Sequence, residues 1–359
     1  MSTTNNKYTD KRHKIAEDPK KKQRNKFILF GILTISFIFL IVLGTGYVIR
    51  YVIPQGKTVV QVGEIKYNRA DMLKMLRVKQ KNSEMIGSQM NNSEEIFKAL
   101  QNMIENEIID QISPSLGIII PPEQIDIYVR DVFMPSYNNE ESPDPVQIER
   151  EFKEIFSNYL TSVGLSEEEY KKFTRWSMLR EQMRQYIGET VPTVAEQVYL
   201  HRLMILPDDE IDIMKKKYED GTPFKYIVRE FSKDNEEVIR RGGEIGWVPR
   251  GIFPEYDYII FDLEPDLLSI EAQSIKSPPL LYFFMISDKD PARPIALEEL
   301  DQLKTQALKD WLNTKRKEFN VSANFNSEVH GWLTKQLGVS TLKKPEKKKS
   351  RLQELGILQ

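Results

Sequence analysis

Through most of the first half of the chain, apolar residues recur at three- and four-residue intervals, and near residue 194 they change to strict alternation. Before the change, "TVVQVGEIKY" alternates around Gly63-Glu64 and predicts a short hairpin. Asn68 is placed to cap a helix beginning "RADMLKMLRVKQ", and Ser93 to open "EEIFKALQNMIENEIIDQI", with Ile96, Leu100, Met103, Ile104 and Ile108 on one stripe. Further helices are predicted at about 121–133, 146–163 and 167–189, the last with Ser166 and Glu169 spaced as a capping box. Such stripes, with Trp176, Met178, Leu179 and Met183 in the last helix, read most simply as core. The alternative is a groove for apolar peptides.

At "VPTVAEQVYLHRLMIL" the alternation puts Val198, Leu200, Arg202 and Met204 on one strand face and Tyr199, His201 and Leu203 on the other. The elements after it are a helix ("DDEIDIMKKKYEDG"), a short helix ("PFKYIVREFS"), a charged loop, a strand ("EIGWV"), a helix ("PEYDYIIFDL") and strands near 269–276 and 281–287. That order fits an α+β unit beginning near Thr193. In its loop, Gly242 and Gly243 call for positive φ or close backbone approach, and Gly246 within the strand for tight packing. Beyond Pro294 the helical period returns, with Leu300, Leu303, Ala307, Trp311 and Leu312 on a stripe predicted to pack back on the first helical region. "FNSEVHGWLTKQLG" is a further amphipathic candidate, and "KKPEKKKSR" a solvated basic tail.

One segment departs from a soluble pattern. From Phe27 to Ile49 the chain runs 23 residues without a charge, enough to cross a hydrocarbon core of roughly 30 Å as a helix. The run is too long for a cleaved signal peptide. Nine basic residues against three acidic ones precede it, which predicts a cytoplasmic N-terminus and an extracytoplasmic remainder. The whole chain carries −2, so the remainder beyond the N-terminal basic tail carries about −8, which argues against nucleic acid as a partner. With no cysteine among 359 residues, thiol chemistry, disulfides and a cysteine-linked lipid are excluded. The three histidines lack ligand spacing, so neither metal nor cofactor is expected.

The stretch "DGTPFKYIVREFSKDNEEVIRRGGEIGWVPRG" resembles the parvulin peptidyl-prolyl isomerase signature: Gly221 and Phe224, the Phe231-Ser232 pair, an acidic loop, then the Gly-Gly-acid-apolar-Gly-Trp run. "FPEYDYIIFDLEP" continues it, and the likeness spans residues 194–288. The layout of anchor, helical region, parvulin unit and returning helix is similar to that of the SurA, PrsA and PpiD extracytoplasmic foldases, with PpiD nearest in membrane topology. The resemblance implies this division: basic cytoplasmic tail 1–26, transmembrane anchor 27–51, helical chaperone region 56–192, parvulin-like domain 193–290, C-terminal helices 295–339 and basic tail 340–359. The implied fold class is α+β, a SurA-N-like helical region completed by a C-terminal helix around the inserted parvulin-like domain.

Parvulins carry two facing histidines at the centre of their site. Here Arg202 stands in place of the first and Tyr282 of the second, with Leu280 where a glycine is usual. His201, one position earlier, belongs to the opposite strand face. Asp234 falls where the family has Cys or Asp, and Ser277 where it has Thr or Ser. Met204, Ile245, Ile252, Phe253 and Tyr256 are the implied proline-pocket lining. Phe261 and Trp247 read as domain core. Arg202 and Asp234 are expected to form an ion pair, which would fill the pocket with charge.

The implied function is a membrane-anchored foldase of parvulin type acting on unfolded or newly exported polypeptides, near the export machinery. Two other readings compete with it: a chaperone that has lost catalysis, and a structural subunit of a membrane complex.

Overall fold

The computed structural model describes residues 30, 33–34, 36–45, 53–134, 144–207, 210–270, 272–273 and 280–341. About half of the expected anchor, the N-terminal basic tail and nearly all of the C-terminal one lie outside them. The anchor's described stretch 36–45 is helical, with Phe37, Phe39, Leu40 and Val42 exposed. Among the described residues no helix is long and apolar enough to cross a membrane.

The hairpin β1 (Thr58–Val62) and β2 (Ile65–Asn68) turns at Gly63, whose φ is +61°. Asn68 caps α1 (Arg69–Met85): its side chain accepts from the amides of Ala70 and Asp71, while the Asp71 carboxylate accepts from the Asn68 amide. The next helix, α2 (Asn92–Ile112), is capped by Asn91, and Ser93 already lies within it. Asn91 has the extended backbone that a cap requires, and its side chain accepts from the Glu94 amide. Then come α3 (Pro122–Phe133), α4 (Pro145–Val163) and α5 (Glu167–Gly188), the last opened by the expected Ser166–Glu169 capping box.

The end of the chain closes this body. Helix α10 (Leu297–Glu318) lies on α5 and α2; strand β7 (Val321–Ala323) pairs with β1; and α11 (Ser327–Thr341) packs on α1 and α2. Val60, Leu76, Met103, Ile108, Trp176 and Met183 share one core with Leu308, Leu312, Leu333 and Leu337. The inward face of α10 centres on Leu308 and Leu312, and Leu303 turns elsewhere.

Between α5 and α10 stands a four-stranded antiparallel sheet in the order β4-β3-β6-β5: β3 (Val194–Ile205), β4 (Glu244–Pro249), β5 (Ala272–Gln273) and β6 (Leu281–Pro294). Pairing of Val194 with Pro294, and a hydrogen bond from the Ile295 amide to the Thr193 carbonyl at 2.9 Å, bring the entering and leaving chains side by side. One sheet face packs on α6 (Glu210–Glu219) and α7 (Phe224–Phe231) through Leu203, Ile205, Phe283, Met214 and Ile227. The other carries Val198, Leu200, Phe284 and Ile286 against Ile259, Ile260 and Phe261.

Some expected elements differ. The acidic loop holds a short helix, α8 (Glu236–Arg240), because Asn235 caps it through the Val238 amide. The helix expected from Pro254 to Leu263 is the single turn α9 (Asp257–Ile260), which begins at Tyr256 with no side-chain cap. Of the strand expected near 269–276, the described residues show β5, preceded by a bridge from Leu268 to Met285, while β6 runs on to Pro294.

Candidate functional site

Side-chain alternation along β3 builds the site's floor. Leu200, Arg202 and Met204 stand opposite Ile286, Phe284 and Tyr282 of β6, so all six share one sheet face. Arg202 and Tyr282 are diagonal neighbours, the guanidinium carbon 5.9 Å from the phenol ring centre. The expected ion pair is present: Nε of Arg202 donates to Oδ2 of Asp234 at 2.7 Å, and Nη2 lies 2.7 Å from the same oxygen. It is a buried pair, with the Asp234 side chain 4% and the Arg202 side chain 19% exposed. The other Asp234 oxygen accepts from the Asn235 amide at 2.8 Å. Ser232 Oγ accepts from the amides of both Met204 and Asp234, at 3.3 Å each, so the segment after α7 is laced to the end of β3.

The double glycine makes that lacing possible. Gly242 and Gly243 have φ of +72° and +88°. Gly243 also accepts the Arg202 amide at 2.8 Å, and a Cβ on it would lie 2.7 Å from the Arg202 carbonyl oxygen. Both reasons for glycine therefore operate at one residue. At Gly246 only one does: its φ is +102°, but nothing lies within 4 Å of a Cβ position, so the expectation of tight packing there is corrected.

Ile245, Ile252, Phe253, Tyr256 and Tyr282 are half-buried around the Leu200–Phe284 cluster. Tyr256 lies 5.5 Å from Tyr282 and 5.4 Å from Phe284, forming an aromatic wall, and burial holds the Tyr256 phenol above its ordinary pKa. Met204 is half-buried opposite Tyr282. Ser277 lies outside the described residues. The structure thus gathers eight of the nine implied residues around one sheet face and the turn that covers it.

Two residues sit elsewhere. His201 faces the opposite side, its Nε2 3.1 Å from Ser287 Oγ, and burial lowers its pKa against the opposing pull of Glu244 and Asp266. Trp247 is also on that side, half-buried between Tyr199 and the Arg293 guanidinium, 4.3 Å above its ring, so the core reading fails for it. Phe261 is core as expected.

Sequence reasoning missed Asp257, whose Oδ2 accepts the Gly251 amide at 2.8 Å and closes the loop that carries Ile252, Phe253 and Tyr256. Burial raises its pKa, against the pull of the Gly251 amide and Arg250. Its place at the start of a helical turn was the available signal. Among the described residues no group of acidic, histidine or cysteine side chains is arranged to hold a metal ion.

Against known proteins, the model of the SurA-like N-terminal domain family matches residues 20–184, just under half of the chain. The chain carries a SurA-like N-terminal domain. Much of the core that the returning helices complete is made by that SurA-like domain. No curated protein matches the chain. Solved structures similar to it include peptidylprolyl isomerase PrsA of Bacillus anthracis, at 17% identity over 69% of this chain and 99% of that one, with a TM-score of 0.38. Foldase protein PrsA of Streptococcus pneumoniae is 15% identical over 79% and 93%, with a TM-score of 0.33. A SurA-like chaperone of Campylobacter jejuni is 13% identical over 67% and 94%, with a TM-score of 0.24.

Proposed function

We infer that the chain is a foldase anchored in the cell membrane by residues 27–51, with its N-terminus cytoplasmic and the remainder outside. It binds unfolded, newly exported polypeptides beside the export machinery and isomerises their X-Pro bonds. The observation that carries the isomerase reading is a guanidinium fixed by a buried carboxylate at the edge of an aromatic pocket.

X-Pro rotation needs no nucleophile, metal or cofactor, only relief of a barrier of about 18–20 kcal/mol. As the imide twists, its nitrogen leaves conjugation and its lone pair becomes a hydrogen-bond acceptor, a change absent from the ground state. Nη1 of Arg202, which has no hydrogen bond among the described residues, is the donor for it. Asp234 fixes the direction of the fork. Ile245, Ile252, Phe253, Tyr256 and Met204 hold the proline ring away from water, and Tyr282 flanks the peptide. A charge-assisted hydrogen bond of about 1.5–3 kcal/mol, made only in the twisted state, corresponds to roughly 10- to 100-fold in rate.

A separate observation favours holding without catalysis. Between α3, α4 and α5 lies a cleft of about 390 Å³, with Val129, Phe152, Phe156 and Leu160 among its lining and charged side chains of both signs at its rim. Ile127, Tyr128 and Val132 on α3 are exposed. Such a surface suits apolar segments in any proline state.

The test measures cis/trans exchange of X-Pro peptides by NMR with the full chain in micelles, beside Arg202→Ala and Tyr282→Phe, and aggregation of an unfolded client in parallel. The expected result is catalysis that falls roughly 10- to 100-fold in Arg202→Ala. No catalysis for any peptide, with aggregation still suppressed, leaves the holding function alone.

A further inference from the structure

The loop that walls the proline pocket meets the helical body at Gly251. Gly251 has φ of +98°, and a Cβ on it would lie 3.0 Å from Cδ2 of Leu303 on α10. Leu303 therefore rests against the loop's backbone rather than on a replaceable side chain. Directly after it come Ile252 and Phe253, then Tyr256, which reaches Tyr282 and Phe284. Behind it, the Gly251 amide is tied to Asp257, and Arg250 is tied to Glu196 of β3 at 2.7 Å. The loop has anchors within its own unit, and Leu303 adds one from outside.

On its other side the same turn of α10 is clamped to α5. Nη1 of Arg184 lies 2.5 Å from Oδ1 of Asp301. The Lys304 stem runs so close to Gly188 that a Cβ there would lie 2.6 Å from its Cγ. Residues 301, 303 and 304 thus join the last turns of α5 to the pocket loop. Close-packed contacts of this kind transmit small displacements, because neither side has space to absorb them.

The geometry points to Leu303 as a positioning residue, through which the helical body sets the shape of the proline pocket. This rests on the reading of residues 250–257 as the pocket's wall. Client binding along α5 that shifts the first half of α10 changes the pocket's grip on proline, and proline binding is felt in the helical body to the same degree.

The test uses the full chain in detergent micelles, as wild type, Leu303→Ala and Leu303→Met. It reads amide hydrogen exchange over residues 250–257, with β3 and β6 as internal references, together with affinity for a fluorescent X-Pro peptide and its cis/trans exchange. In Leu303→Ala the loop is expected to exchange roughly tenfold faster with β3 and β6 unchanged, and the peptide to bind several-fold more weakly. Leu303→Met, which keeps an apolar side chain of similar volume, restores both. Loop exchange unchanged in a folded Leu303→Ala overturns the proposal. So does exchange that rises equally in β3 and β6, since Leu303 would then be general packing. A wild type that leaves X-Pro exchange uncatalysed sinks the isomerase reading alone, because loop protection reports the coupling by itself.

Discussion

Arg202 and His201 are neighbours in sequence, yet the two faces of β3 treat their charge in opposite ways. Arg202 points into an apolar face, where Asp234 meets it with a hydrogen bond to Nε and a close ionic contact at Nη2. His201 points to the opposite face, the one that also carries Leu203, where a serine hydroxyl is its hydrogen-bond partner and burial disfavours its charged form. A permanent charge in an apolar setting requires a partner, whereas a group that can lose its proton relaxes by losing it. The pocket face is therefore committed to a charge pair, and the opposite face is responsive.

The largest effect should come from breaking the committed side. Asp234→Ala leaves the Arg202 guanidinium buried without its partner, and such losses cost about 3–5 kcal/mol. Replacing both partners, Arg202→Met with Asp234→Leu, removes the desolvation cost with the attraction and should return stability to within about 1 kcal/mol of wild type in urea unfolding. A double variant as unstable as Asp234→Ala would mean that packing around Asp234, not its charge pairing, holds the segment after α7.

Next in size are the two glycines that frame the same face. Gly243→Ala combines a strained backbone with a Cβ placed 2.7 Å from the Arg202 carbonyl oxygen, and should cost about 3 kcal/mol or more. Gly246→Ala meets open space and pays only for its positive φ, about 1–2 kcal/mol. Thermal unfolding of the two variants separates close approach from conformation. Equal losses would show that Arg202 and its strand move aside freely.

Much of this was legible in the chain because local chemistry and tertiary packing agree there. Asn68–Asp71 and Ser166–Glu169 are reciprocal caps decided within four residues, and both form. The alternation that separates Arg202 from His201 needs only the two-residue period of a strand. The features that escaped depend on three-dimensional neighbours. Trp247 looks like core by composition, but it stays half-buried, with Tyr199 and the Arg293 guanidinium against its ring. Asp257 gains its role from an amide six residues earlier that a turn folds back onto it. Leu303 fits the stripe of α10, and the sequence does not say that the helix touches a second unit there.

The smallest effect lies on the responsive face, and its sign is set by the direction of the His201 shift. Burial holds the folded imidazole below its unfolded value of about 6.5, so above that pH both states are neutral and no stability is lost. As the pH falls through 6.5 the unfolded chain takes up its proton first, and stability declines until the folded form is protonated as well. Glu244 and Asp266, which favour the charged form, limit the decline without reversing it. The depressed carboxylates Glu95, Glu169 and Glu244 titrate below the ordinary carboxylate range, and Asp257, which burial raises, contributes with the opposite sign, stabilising as the pH falls. Urea midpoints from about pH 7.5 to 5.5 should fall for wild type and flatten in His201→Gln, while Arg202→Met with Asp234→Leu should keep the wild-type slope. An unchanged slope in His201→Gln would assign the acid response to a group other than His201 and remove the contrast between the two faces of the strand.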